Sequence, residues 1–220
     1  MTRELKELPK YTRKEEIVNS LSHLLGLFFG IGTLIFLIVH QFNNNLSFSY
    51  MLPFYVYCLC MMVVFFVSAF YHSSPLGSKR RMIARIIDHC DIYLFVAATY
   101  LPICVHGMEN KSVAIAIMVI EVTLAILGIV LNIVPTKSKA IKIVSYLIYL
   151  VDGWLLAFFF PFNVGIPFNV FIFILIGGIV YSLGAIIYVI GSKKTWFHSL
   201  FHVFVLLAAV IQFVGIYFLL

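Results

Sequence analysis

Charge is scarce in this chain: Asp, Glu, Lys and Arg make up 11% of its 220 residues, while 63% are hydrophobic. An ordinary soluble domain is about a quarter charged, and a mean hydropathy of +1.07 takes the sequence out of that class. There is also no polar stretch long enough to build a soluble domain, no evident internal repeat and no low-complexity segment. Cysteine is limited to Cys58, Cys60, Cys90 and Cys104. All four fall inside apolar runs, so nothing suggests a disulfide framework, and they read as small buried hydrophobes. Cys58 and Cys60, two apart, point to different sides of a helix and make no ligand pair. The first apolar run is too long for a signal peptide and has no small-residue cleavage site, so it reads as a span.

Apolar runs of about 20 residues, the length that crosses a bilayer, can be placed at 17–42, 50–74, 86–106, 112–134, 141–160, 168–191 and 196–220. The expected fold class is all-α: a polytopic membrane protein with a bundle of seven transmembrane helices, since helices satisfy their own backbone groups in lipid. Residues 1–16 form a basic tail and 17–220 a single transmembrane domain. Arg3, Lys6, Lys10, Arg13 and Lys14, then Lys79, Arg80, Arg81 and Arg85, then Lys137, Lys139 and Lys142, then Lys193 and Lys194 occupy alternate connections. Only Lys111 falls on the other side, so the positive-inside rule predicts a cytoplasmic N-terminus and an outside C-terminus. A formal charge of +6 suits an anionic inner leaflet, which makes membrane lipids the expected partners and gives no reason to invoke nucleic acid.

Polar residues inside the spans carry the functional reading. Glu16, Asn19 and His23 recur at helical spacing and form one stripe. An acid in a first helical turn can also be simply a cap, a reading open to both Glu15 and Glu16. Gly26, Gly30 and Gly32 allow close helix contact. Ser68 and His72 share a face four residues apart, as do His198 and His202. Asp88 and Asp91 lie one turn apart, and an acid inside a span costs about 3 kcal/mol on insertion scales, so both need partners or water. Pro102 should kink its helix. Glu121 and Asp152 sit mid-span, where a polar interhelical contact or a proton path are both open readings. With odd spans starting inside and even spans ending there, Asn19, His23, Ser68, His72, Asp88, His198 and His202 converge at one depth near the cytoplasmic face.

Three neutral imidazoles with one position left open are the ligand set of a catalytic zinc site, and His72, His198 and His202 supply them for Zn²⁺. Asp88 is the candidate general base and Ser68 a supporting hydroxyl. Ser199 stands where a helical zinc protease carries glutamate, which argues against a protease.

Glu-Glu-x-x-Asn-x-x-x-His at 15–23, Ser-Ala-x-Tyr-His at 68–72, Asp-His-x-x-Ile at 88–92 and Phe-His-x-x-Phe-His at 197–202 together resemble the haemolysin III family, a branch of the progestin and adipoQ receptor superfamily. The resemblance runs from the first span to the last. It implies a seven-helix bundle with an inside N-terminus, a cytoplasmic-side zinc on His72, His198 and His202, and an Asp88 that contacts the metal's water. Ser199, Cys90 and Asp91 depart from the family pattern, which often has glutamate at the first position and small residues at the others. Three functions are expected to compete. One is a zinc-dependent hydrolase of a membrane lipid amide or ester bond, after ceramidase relatives. The second is a non-enzymatic membrane-homeostasis factor or pore-former. The third is a zinc that only staples helices, with Glu121 and Asp152 serving ion or proton movement. A bacterial plasma membrane is the expected location.

Overall fold

The structure, a computed structural model, describes residues 11–134, 138–160, 165–191 and 194–220, without the side chains of residues 139, 142 and 146. Arg3, Lys6 and Lys10 of the basic tail, Lys137 and Lys193, Pro161 of the fifth connection, and the side chains of Lys139 and Lys142 therefore lie outside the described residues.

Among the described residues every regular element is helical: α1 (Arg13–Asn43), α2 (Phe48–Ser73), α3 (Lys79–Pro102), α4 (Lys111–Ile133), α5 (Lys139–Phe159), α6 (Phe168–Ile190) and α7 (Phe197–Tyr217), with a π turn at Ile103–Gly107. All but α5 are long and apolar enough to cross a membrane, while α5 carries a shorter apolar segment, Ile143–Phe159. The chain is thus a polytopic membrane protein, with six qualifying spans among the described residues.

Local chemistry sets the helix starts. Thr12, Ser47, Ser78, Asn110 and Ser138 each accept a hydrogen bond from a first-turn backbone N–H of α1 to α5 in turn, satisfying donors a helix cannot pair internally. At α1 this is a complete capping box with Glu15, so the helix begins at Arg13, ahead of the apolar run itself. Pro102 ends α3 as an α-helix, and the chain continues as the π turn; a proline removes one backbone donor and crowds the preceding turn.

In sequence order α1 packs on α2, α2 on α3, α3 on α4 and α4 on α5, while α7 lies between α6 and α1. Large apolar side chains such as Leu25, Phe28, Phe42, Ile115 and Ile126 point outward, as suits a lipid solvent. Tyr57, Met61, Phe65 and Ile117 fill the interior. Two glycines permit the α1–α2 contact: a Cβ at Gly26 would stand 2.3 Å from the Phe65 ring, and one at Gly30 2.6 Å from Met62 Cγ. Gly32 is different from the expectation, because a Cβ there meets nothing within 4 Å; it lies round the helix from the other two. The cysteines are free thiols, Cys58 and Cys104 buried and Cys60 and Cys90 half-buried.

Candidate metal centre

The starts of α1 and α7 are tied together by one acid. Trp196, just before α7, has a left-handed φ of 71°, and its backbone N–H donates to Glu15 Oε1 at 2.7 Å. The other Glu15 oxygen accepts from the N–H and hydroxyl of Thr12, both at 2.8 Å. Glu15 is therefore the capping acid, and Glu16, one step round the helix, is free to turn inward.

What it turns toward is a cluster of three imidazoles. His198 and His202 sit one turn apart on α7 with their Nε2 atoms 2.9 Å apart. His72, in the last turn of α2, brings its Nε2 to 3.2 Å from that of His198. One ligand atom from each of the three falls within 4.8 Å of the others. Zn–N bonds of ~2.0–2.1 Å in a tetrahedral array space the nitrogens ~3.3 Å apart, close to the spacing seen. Neutral nitrogens whose lone pairs converge in this way fit a shared cation better than one another. His72 and His202 are buried and His198 is half-buried. Among the described residues no other group of His, Cys, Asp or Glu assembles such a set.

The surrounding residues orient the donors. His72 Nδ1–H donates to Glu16 Oε2 at 2.7 Å, which leaves Nε2 as the acceptor nitrogen aimed at the cluster. The other Glu16 oxygen pairs with Arg81. Arg81 also donates from Nη1 to the carbonyl of Ser74 at 2.8 Å and is 1% exposed. In sequence it reads as one of four basic residues on a connecting loop; the helix starting at Lys79 instead turns it into the protein. Asn19 is buried, with Nδ2 standing 3.4 Å from His72 Nδ1, and its Oδ1 accepts from Ser199 at 2.6 Å. The serine that departs from the family pattern thus fixes the Asn19 amide. His23 packs edge-on against His202, ring centroids 4.0 Å apart and planes at 85°, and neither of its nitrogens has a partner. It lines the cluster without joining the three-ligand group.

Tyr11 covers the cluster. It stacks on His198 at 4.4 Å with an interplanar angle of 9° and lies 5.8 Å from His72. Its phenol, just before α1, is pushed above the usual tyrosine range, first by burial and then by the neighbouring Tyr188 and Tyr71. Sequence reasoning passed over Tyr11, whose position next to the basic tail carries no signal of a stacking partner.

The remaining candidates separate into two places. Ser68, one turn before His72 on α2, meets the Asp88 carboxyl across the α2–α3 contact. Asp88 is not part of the three-histidine group. Asp91 is buried with both oxygens unpaired and faces Cys60 and Cys90. The one Arg or Lys ion pair found among the described residues is Arg81–Glu16, so neither Asp88 nor Asp91 takes Arg85 as a salt-bridge partner. Glu121 and Asp152 are fully buried in α4 and α5, away from the histidines.

Comparison with known proteins places this chain in a family. The family model described as haemolysin-III related matches residues 11–213, a range that takes in all the histidines of the cluster. The Hemolysin-3 homolog of Bacillus subtilis (strain 168) is 33% identical over 197 residues, covering 89% of this chain and 90% of that protein. Hemolysin-3 of Bacillus cereus is 32% identical over 214 residues, covering 97% and 94%. With its apolar spans and relatives of this kind, the chain is a multi-pass protein of the cell membrane, and it belongs to the haemolysin III family.

Proposed function

We propose that this protein is a zinc-dependent hydrolase of an amide or ester bond in a membrane lipid, working at the cytoplasmic side of a seven-span bundle in which α5 is the seventh crossing and the N-terminus is inside, as in the progestin and adipoQ receptor superfamily. The observation that carries the reading is the convergence of the Nε2 atoms of His72, His198 and His202 at 3.2 and 2.9 Å. Zinc held there supplies Lewis-acid activation of water at neutral pH. Glu16 holds His72 in the tautomer that presents Nε2, and Arg81 holds Glu16 in turn. Asp88 would serve as the proton acceptor for the reacting water, with the Ser68 hydroxyl orienting its carboxylate. Asn19 and His23 line the same layer, and Asp91 adds a second acid one turn from Asp88.

Metal analysis and fatty-acid release from a ceramide-like substrate test this together. The wild type should carry zinc and release fatty acid, His202→Ala should lose both, and Asp88→Ala should keep the zinc and lose release. A zinc-loaded wild type that is inert across acyl amides and esters counts against hydrolysis.

The names of the two Bacillus relatives favour a second reading, a non-enzymatic membrane factor or pore-former. Liposome leakage that persists after replacement of His72, His198 and His202 would separate that role from metal chemistry.

A further inference from the structure

The middle of α4 and the second half of α5 bury two acids against each other. Glu121 and Asp152 are both 0% exposed, and the Glu121 carboxyl lies beside that of Asp152 and the hydroxyl of Tyr100 on α3. Tyr100 is already committed: its hydroxyl donates to the main-chain carbonyl of Asp152 at 2.9 Å and accepts from the N–H of Leu156 at 3.0 Å. Those are the two groups that an α-helical turn pairs directly, so the phenol is inserted into the ladder of α5 at the acid. A phenol has one proton, and here the backbone takes it. No N–H or O–H of another residue donates to any of the four carboxyl oxygens of Glu121 and Asp152.

The neighbours supply no counter-charge. Cys104, on the π turn that follows α3, faces Glu121 and is a buried thiol. Lys111, the cation nearest that thiol, spends its ammonium on the carbonyls of Val105 and Met108, both at 2.8 Å. Among the described residues no Arg or Lys pairs with either acid. Two adjacent carboxylates at full burial repel each other and are poorly solvated, and such pairs resolve the conflict by holding a proton between them. The acids thus have no cation or outside donor, are fully buried, face each other, and lie where two helices are locally opened, one by a π turn and one by an inserted side chain, irregularities that often accompany functional sites.

We infer that Glu121 and Asp152 form a proton-binding site inside the membrane, sharing one proton between facing carboxyls next to the Tyr100 wedge and independent of the histidine centre.

Infrared difference spectroscopy of the purified protein at neutral pH tests this. The wild type should show a protonated-carboxyl stretch that shifts in D2O and loses the same component in Glu121→Gln and in Asp152→Asn, since either change removes one half of the shared site. The band should survive treatment with a zinc chelator and the His202→Ala change. Retention of the full band in both variants, or its loss on adding sodium chloride at constant pH, would overturn the proposal, the latter by making a metal cation the occupant. Should the variants fail to fold, the wild type alone decides through dicyclohexylcarbodiimide, which attacks protonated carboxyls in apolar surroundings. An adduct mapped by peptide mass spectrometry to Glu121 or Asp152, weakening as pH is raised, supports the site. Absence of an adduct on both residues refutes it.

Discussion

Glu16 and Arg81 form an ion pair across α1 and α3, and the same carboxylate receives the Nδ1–H of His72 at 2.7 Å. One acid thus links a buried guanidinium to the outer nitrogen of a metal-ligand candidate. Carboxylate–histidine pairs of this kind fix the ring and raise its basicity as a ligand.

Removing that link should weaken metal binding without removing a ligand. Glu16→Gln is expected to lower zinc affinity about 10- to 100-fold, read by competition with a chelator of known affinity. Arg81→Met should instead act on stability, because it leaves the Glu16 charge without its cation. The loss for breaking a buried pair is about 3–5 kcal/mol, and Glu16 keeps some solvent contact, so the lower end of that range is expected in detergent unfolding.

Metal occupancy should fall on acidification. Metal and protons compete for the same imidazole nitrogens, so binding releases protons and affinity rises with pH. With three histidines in the set, the decline in bound zinc as pH falls should be steeper than a single protonation produces. Equilibrium dialysis at a series of pH values measures it, and restoring the pH should restore occupancy.

Tyr11 should govern access to the cluster through its ring. Its phenol is held protonated by burial, so it adds no ionisation of its own near neutral pH. Tyr11→Phe keeps the stack on His198 and should leave the rate of zinc removal by chelator unchanged. Tyr11→Ala removes a contact worth about 0.5–1.5 kcal/mol and should speed removal severalfold.

The α1–α2 contact offers a paired test of packing. Gly26→Ala drives a Cβ to 2.3 Å from the Phe65 ring, and overpacking of this sort costs about 1–3 kcal/mol, expected as a lower thermal midpoint in detergent. Gly32→Ala meets open space and should be neutral or stabilising by up to about 1 kcal/mol through helix propensity.

The six spans were legible because bilayer thickness sets a minimum apolar length, and composition alone reports it. The pairing of His198 with His202 was equally legible, since four residues of helix return a side chain to the same face whatever surrounds it. The arrival of His72 beside them followed from counting helix directions, which needs no coordinates. The sequence places a span at 141–160 by the same length rule, yet among the described residues α5 carries only the shorter apolar segment Ile143–Phe159 and falls outside the six qualifying helices, because its run begins among lysines.

Sequence by itself therefore determined the class of molecule through composition, the family through four ordered motifs, and the candidate histidine set through helical spacing and the alternation of helix direction. Tertiary structure alone decided the rest. Arg81 is one of several loop-like cations until the rotation of α3 turns it inward toward Glu16. Gly32 resembles Gly26 until the face of α1 that meets α2 is known. Ser199 reads as a departure until it is seen donating to Asn19, and Glu121 and Asp152 are separate mid-span acids until the register of α4 against α5 brings them together. In each case the partner lies on another helix, and contact between helices depends on their rotation and depth, which no periodicity within one helix encodes.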